Sequence, residues 1–117
     1  MVLAEIVEHI DNPVAFLRSL ADRYRGSVEA FIITVPNAFD EGNQRFAMSD
    51  IEAVNSDHRF WFTPYTICKV AHAAGLSIDT VRTCQNGVIK RRHPWRNRRL
   101  ARRPFLRNGI ILTARLR

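Results

Sequence analysis

The sequence predicts an α/β fold in which strands and helices alternate around a parallel sheet. A short apolar run, Val2–Ala4, is followed by a helix signal at Pro13 and then by a β-branched, aromatic run that ends at Pro36. Strand, helix and strand at this spacing are typical of a right-handed βαβ unit. Three more predicted elements follow in the second half of the chain, which has no internal repeat.

The first helix has clear start and stop signals. Asp11 or Asn12 can cap it, Pro13 suits its first position, and Gly26 marks its end. Its apolar residues recur at helical spacing: Val14, Phe16, Leu17, Leu20, Ala21 and Tyr24. The next run, residues 28–35, is rich in β-branched and aromatic residues, which predicts a strand buried on both faces.

The second half combines a long loop, a helix and a hairpin. Residues 37–60 have no clean period, and a loop of this length inside a domain is usually functional. Thr63 caps a helix that begins at Pro64 and stops at Gly75. Residues 76–84 and 109–116 are predicted to be the last two strands. Residues 85–108 form an insert between them.

The net charge of +7 on 117 residues comes from one segment. All eleven acidic residues lie between Glu5 and Asp79, whereas the chain from Lys90 onward has eleven Lys and Arg residues and no acid. Interleaved with aromatic residues, these cations can hold RNA phosphates or an anionic membrane surface. A solvated insert between hairpin strands is the commonest case for such a segment.

Composition excludes several classes of protein. Hydrophobic content of 46% fits one globular domain, and no apolar run approaches the roughly 20 residues that span a bilayer. The first residues lack the pattern of a signal peptide, so we expect a cytoplasmic protein. Cys68 and Cys84 are too few for a disulfide framework and are expected to be reduced.

Polar side chains follow the first predicted strand closely. Glu5, Glu8 and His9 have the spacing i, i+3, i+4, and in one helical turn they would point to the same side. The site of a parallel α/β sheet lies at the carboxyl ends of its strands, where Asn37 also falls. Two carboxylates and one imidazole could hold Mg²⁺ or Mn²⁺. Alternatively, the acids are a solvated face and His9 packs against the next helix.

His58 has a similar ambiguity. It follows Asp57 and precedes three aromatic residues, Phe60, Trp61 and Phe62. His58 could be a metal ligand or a base beside an aromatic pocket. Alternatively, the aromatic residues belong to the core and His58 caps a turn.

Three motifs in order resemble the second half of class I S-adenosylmethionine-dependent methyltransferases. They are E-H-x-x-x-P from Glu8 to Pro13, V-P-N ending at Asn37, and D-H-x-F-x-x-T from Asp57 to Thr63. The resemblance covers residues 1–84 closely and the last strand loosely. It implies a Rossmann-like sheet with equivalents of strands four to seven, parallel at first and ending in an antiparallel hairpin, with flanking helices.

The resemblance also implies site residues. In this family, Ala4 and the backbone around Glu5 would lie against the methionine part of S-adenosylmethionine. The E-x-x-E-H pattern is similar to the metal-binding one of ubiquinone-pathway O-methyltransferases and of small-RNA 2′-O-methyltransferases. In the small-RNA group, a further histidine in a D-H-x-F-x-x-T context, like His58 here, completes the site. Glu5, Glu8, His9 and His58 would then hold Mg²⁺ or Mn²⁺. Without a metal, His58 or His9 would be the general base.

The implied reaction is methyl transfer to a hydroxyl of a small molecule or of an RNA end. The family's glycine-rich turn and its two acidic cofactor contacts are not found among these 117 residues. We therefore expect residues 1–117 to be a single partial domain, the C-terminal half of a methyltransferase, inactive alone and weak in cofactor binding. Its exposed first strand would favour self-association or a complementing N-terminal half. The alternative is a noncatalytic module that binds RNA or an anionic membrane through the basic insert.

Overall fold

Four strands form one mixed sheet in a computed structural model that describes residues 1–85 and 94–117. The spatial order is β1 (Val2–Ala4), β2 (Phe31–Pro36), β4 (Gly109–Leu116) and β3 (Leu76–Cys84). β1 and β2 are parallel, and β4 is antiparallel to both β2 and β3. The predicted fold class, a parallel pair followed by an antiparallel hairpin with flanking helices, is confirmed.

The two predicted helices form where their capping residues stand. The Asn12 side chain accepts a hydrogen bond from the Ala15 N–H at 3.0 Å and begins α1 (Pro13–Arg23). Thr63 and Thr66 exchange side-chain and backbone hydrogen bonds in a capping box that begins α3 (Pro64–Ala73).

The core lies on one face of the sheet. Leu17 of α1 and Ile67 of α3 pack with the inward residues of β2, which are Phe31, Ile33 and Val35. Ile32, on the other face, is 40% exposed. The predicted burial of β2 on both faces is therefore wrong, because both helices cover the same side of the sheet. The strand also begins later than predicted.

The predicted loop contains a helix that the sequence pattern did not indicate. α2 (Glu41–Ala47) begins at Asp40, whose side chain accepts a hydrogen bond from the Asn43 N–H. The loop returns to its starting point, because the Ala38 N–H donates to the Phe62 carbonyl at 2.8 Å. The two ends of this long loop are thus joined to each other next to the carboxyl end of β2.

The predicted basic insert also has a helix, α4 (Pro94–Arg102), followed by a 3-10 turn at Pro104–Leu106. Its residues 86–93 lie outside the described residues. β1 pairs only with β2 within the described part of the chain, so it is an edge strand, as expected. In the ranges 1–85 and 94–117, no helix has the length and apolarity needed to cross a membrane.

Candidate functional site

The chain turns sharply after β1. Glu5 has a positive φ of 53°, which is uncommon for a residue other than glycine and is often found at functional sites. Its N–H donates to the Thr34 carbonyl at 3.0 Å, and its carboxylate accepts from the Thr34 hydroxyl at 2.9 Å. The following turn is a 3-10 helix of Val7–His9 only. The predicted single helical turn over residues 5–9 is therefore wrong, and Glu5 points to β2.

Glu8 of this turn is an acidic residue with a buried side chain. It is 1% exposed, and neither of its carboxylate oxygens has a hydrogen-bond partner among the described residues. Burial raises the pKa of this carboxyl, and the charge of Glu5 raises it further. The residue's own backbone N–H and the two histidines lower the pKa, although that N–H does not make a well-aligned hydrogen bond. A buried carboxylate in this condition needs a proton or a cation.

Two imidazoles lie next to this carboxylate. His9 Nδ1 is 3.0 Å from the Asp57 carbonyl oxygen, which can only accept, so Nδ1 carries the proton. In the neutral form of the ring, Nε2 then carries a lone pair; this atom is 3.8 Å from Glu8 Oε1. The rings of His9 and His58 meet edge to face with centroids 4.8 Å apart.

Backbone hydrogen bonds bring the loop to the turn. The Glu8 carbonyl accepts from the N–H groups of Arg59 at 2.7 Å and Phe60 at 3.2 Å. This pair of bonds joins His58 to a turn that is about fifty residues earlier in the chain. The potential ligand atoms of Glu8, His9 and His58 consequently lie within 4.8 Å of one another.

The structure thus assembles three of the four predicted ligands and leaves Glu5 on Thr34. One carboxylate and two imidazoles form a borderline donor set, which suits Mn²⁺ or Zn²⁺ better than Mg²⁺. In metal sites, a ligating histidine commonly donates its other ring N–H to a backbone carbonyl, as His9 Nδ1 does to the Asp57 carbonyl.

A cleft of roughly 330 Å³ opens beside this cluster at the carboxyl ends of β1 and β2. Its lining includes Glu5, His58, Trp61, Asp40 and Asn43. The aromatic wall predicted beside His58 is present in part, since Phe60 and Trp61 line the cleft whereas Phe62 is buried in the core. The part of Asp40 and Asn43 in the cleft could not be predicted from the sequence pattern, because their approach depends on α2, which that pattern did not indicate.

Asn37 has a structural part in the cleft. It is 1% exposed, and its amide nitrogen donates to the carbonyls of Phe105 at 2.9 Å and Arg107 at 2.7 Å. The V-P-N motif signals the position but not these partners. The two half-buried cysteines, Cys68 and Cys84, are not joined in a disulfide, and burial raises the pKa of both thiols.

Both the sequence and the structure of the chain are similar to those of known methyltransferases. No protein-family model matches the chain. A ubiquinone biosynthesis O-methyltransferase of Aeromonas salmonicida is 29% identical over 79 residues, which cover 63% of the chain and 33% of that protein. The chain thus spans about a third of the length of this curated relative.

Two solved structures share the fold. The small RNA methyltransferase HEN1 matches with a TM-score of 0.59 and 16% identity, over 98% of this chain and 13% of that one. A methyltransferase in complex with the Haloferax volcanii Trm112 methyltransferase activator matches with a TM-score of 0.56 and 15% identity, over 97% of this chain and 51% of that one. The chain has a Rossmann-like methyltransferase fold. Its predicted resemblance to S-adenosylmethionine-dependent methyltransferases is confirmed.

Proposed function

We propose that this chain supplies part of the site of an S-adenosylmethionine-dependent O-methyltransferase, namely the part at the carboxyl ends of the parallel strands β1 and β2. The observation that carries the proposal is the unpartnered, buried carboxylate of Glu8 facing His9 and His58. It stands at the end of parallel strands, where ligands of α/β sheets bind. The relative in sequence is an O-methyltransferase, which supports a hydroxyl as the methyl acceptor.

Ala4 and Glu5 fit the methionine end of the cofactor. Both are exposed, Ala4 is the last residue of β1, and Glu5 follows it and lines the cleft. The tight turn at Glu5 is held by Thr34, so the backbone is fixed before any ligand arrives. The chain holds none of the glycine-rich cofactor motifs, and we propose that it is inactive alone, binds the cofactor weakly and needs a second copy or a complementing N-terminal half.

The donor set fits a divalent cation held by Glu8, His9 and His58. When bound, such an ion acts as a Lewis acid that lowers the pKa of an acceptor hydroxyl. Glu5 is not among the three grouped ligands, since its Oε1 accepts a hydrogen bond from Thr34. We favour Mn²⁺ over Mg²⁺ because two of the three grouped ligands are imidazoles.

The chain's own groups have separate tasks in this proposal. The Asp57 carbonyl holds the neutral His9 ring in one tautomer, so that in this form Nε2 can accept a proton or a cation. His58 lines the cleft and is the candidate base for the acceptor hydroxyl in the absence of a metal. The cleft walls then restrict the acceptor's orientation.

Calorimetric titration of Mn²⁺ into wild type, Glu8→Ala and the exposed control Glu52→Ala tests the proposal. We expect saturable binding in wild type and in the control, and none in Glu8→Ala. Equal binding in all three proteins, or none in any, would contradict the metal site.

A further inference from the structure

α4 presents a stripe of one aromatic and three cationic side chains. Trp95, Arg98, Arg99 and Arg102 have the spacing i, i+3, i+4, i+7, which places them on one face of the helix. The Trp95 side chain is 80% exposed. Leu100 points the other way and is 4% exposed, so the apolar side of the helix is used by the protein's own packing.

This helix is held firmly against the rest of the molecule. The Glu41 carboxylate of α2 is 7% exposed and forms ion pairs with Arg45, Arg96 and Arg99. At the other end, the Arg107 guanidinium donates to the Leu100 carbonyl at 3.1 Å and to the Thr83 carbonyl at 3.2 Å. The stripe therefore has a fixed orientation.

Three cations on and after the helix remain uncompensated. Arg98, Arg102 and Arg103 form no ion pair with an acid in residues 1–85 and 94–117. Glu41 supplies one negative charge to three arginines, so the surroundings stay positive as well. The free arginines, Trp95 and Arg99 line one open depression.

We propose that this stripe binds single-stranded nucleic acid. The arginines would contact successive phosphates, and the exposed indole of Trp95 would stack on an unpaired base. From Trp95 to Arg102 the helix rises about 10 Å, so the stripe is long enough to contact more than one phosphate. A duplex would not offer an unpaired base to the indole.

The same observations disfavour an anionic membrane. A helix that lies in a bilayer surface needs a broad apolar face, and Leu100, the one leucine of α4, is buried. The stripe itself is cationic apart from Trp95.

The stripe adjoins the cleft through α2. Glu41, which holds α4, directly follows Asp40, which lines the cleft. A strand on the stripe that continued past α2 into the cleft could offer a ribose hydroxyl there as the methyl acceptor. This placement as acceptor rests on the proposed function, whereas binding to the stripe does not.

Fluorescence anisotropy with a labelled oligouridylate of about 12 nucleotides tests the binding. The measurement is made in chelator without cofactor, so its result is independent of metal and methyl transfer. Each arginine that neutralises one phosphate of a single strand contributes about 0.7 to the slope of log K against log salt. We therefore expect the Arg98→Gln, Arg102→Gln, Arg103→Gln triple variant to reduce the magnitude of this slope by about 2. Trp95→Ala should weaken binding by about tenfold, with Trp95→Phe closer to wild type.

The matched control removes three cations elsewhere. Arg23→Gln, Arg25→Gln, Lys69→Gln changes the net charge equally on exposed positions of α1, its C-terminal end and α3, and it should leave the slope near that of wild type. Equal losses in the two triple variants, or no effect of Trp95→Ala in a protein with an unchanged unfolding midpoint, would overturn the proposal. Binding to phosphatidylserine vesicles without binding to the oligonucleotide would also overturn it and indicate a membrane surface.

Discussion

Replacement of Glu8 by glutamine should stabilise the metal-free chain. The carboxylate is 1% exposed and has no hydrogen-bond partner in the described residues, and such a buried acceptor costs about 1–3 kcal/mol. Glutamine removes the charge but keeps the shape, so we expect a gain of about 1 kcal/mol near neutral pH. With an unfolding entropy of about 2.1 cal/mol/K per residue, this gain raises the midpoint by roughly 4 °C.

The pH dependence has a definite sign. Burial raises the pKa of Glu8 above its ordinary value of 4.5, so the folded chain retains the proton to a higher pH than the unfolded chain. The stabilising proton is fully present below the unfolded pKa and is lost as the pH rises through the folded pKa. In chelator, the difference in unfolding free energy between Glu8→Gln and wild type should therefore begin to increase above pH 4.5 and then reach a constant value.

A divalent cation should reverse the order of stability. At a Mn²⁺ concentration 100 times the Kd, binding adds about 2.7 kcal/mol, or roughly 11 °C, to wild type and nothing to Glu8→Gln. Thermal unfolding followed by circular dichroism, with chelator or Mn²⁺, measures both effects. The exposed control Glu29→Gln should behave as wild type. A Glu8→Gln protein that is less stable than wild type in chelator and still gains stability from Mn²⁺ would refute the reasoning.

Three further outcomes follow from the same contacts. His58→Ala should lower Mn²⁺ affinity by at least about tenfold, whereas His72→Ala, on the exposed side of α3, should not; equal affinities in calorimetry would argue against His58 as a ligand. Glu41→Ala should release α4 and lower stability by about 1–2 kcal/mol, because the carboxylate is buried but its arginine partners are half-exposed; unchanged hydrogen exchange in α4 would contradict this. The chain alone should show no micromolar affinity for S-adenosylmethionine, and calorimetry with such affinity for a monomer would disprove its dependence on further elements.

Local signals predicted the helices and strands that carry the fold. Asn12 with Pro13, and Thr63 with Pro64, mark helix starts because their caps are made within a few residues. The last two strands match the predicted residues 76–84 and 109–116. The prediction that β2 is buried on both faces was wrong. A predominantly apolar run such as residues 28–35 indicates that a strand can be covered on both faces, but it does not indicate which elements are present to cover it.

The site depended on contacts that spacing does not encode. Glu5 and Glu8 are three residues apart, yet their carboxylates point to different places: Glu5 has a positive φ and accepts a hydrogen bond from Thr34, whereas Glu8 lies beside His9 and His58. α2 was missed because its polar sequence lacks an apolar period, and Glu41 is held by arginines 55 residues or more later as well as by Arg45. The resemblance brought His58 into the proposed site, and the structure shows the backbone bonds that place it there.

The most direct test of the central claim is anomalous X-ray scattering from crystals grown with Mn²⁺. The proposed site predicts one peak about 2.0–2.3 Å from Glu8, from His9 Nε2 and from a ring nitrogen of His58. No peak between these side chains in crystals of a protein saturated with Mn²⁺ in solution, or a peak only elsewhere on the molecule, would contradict it.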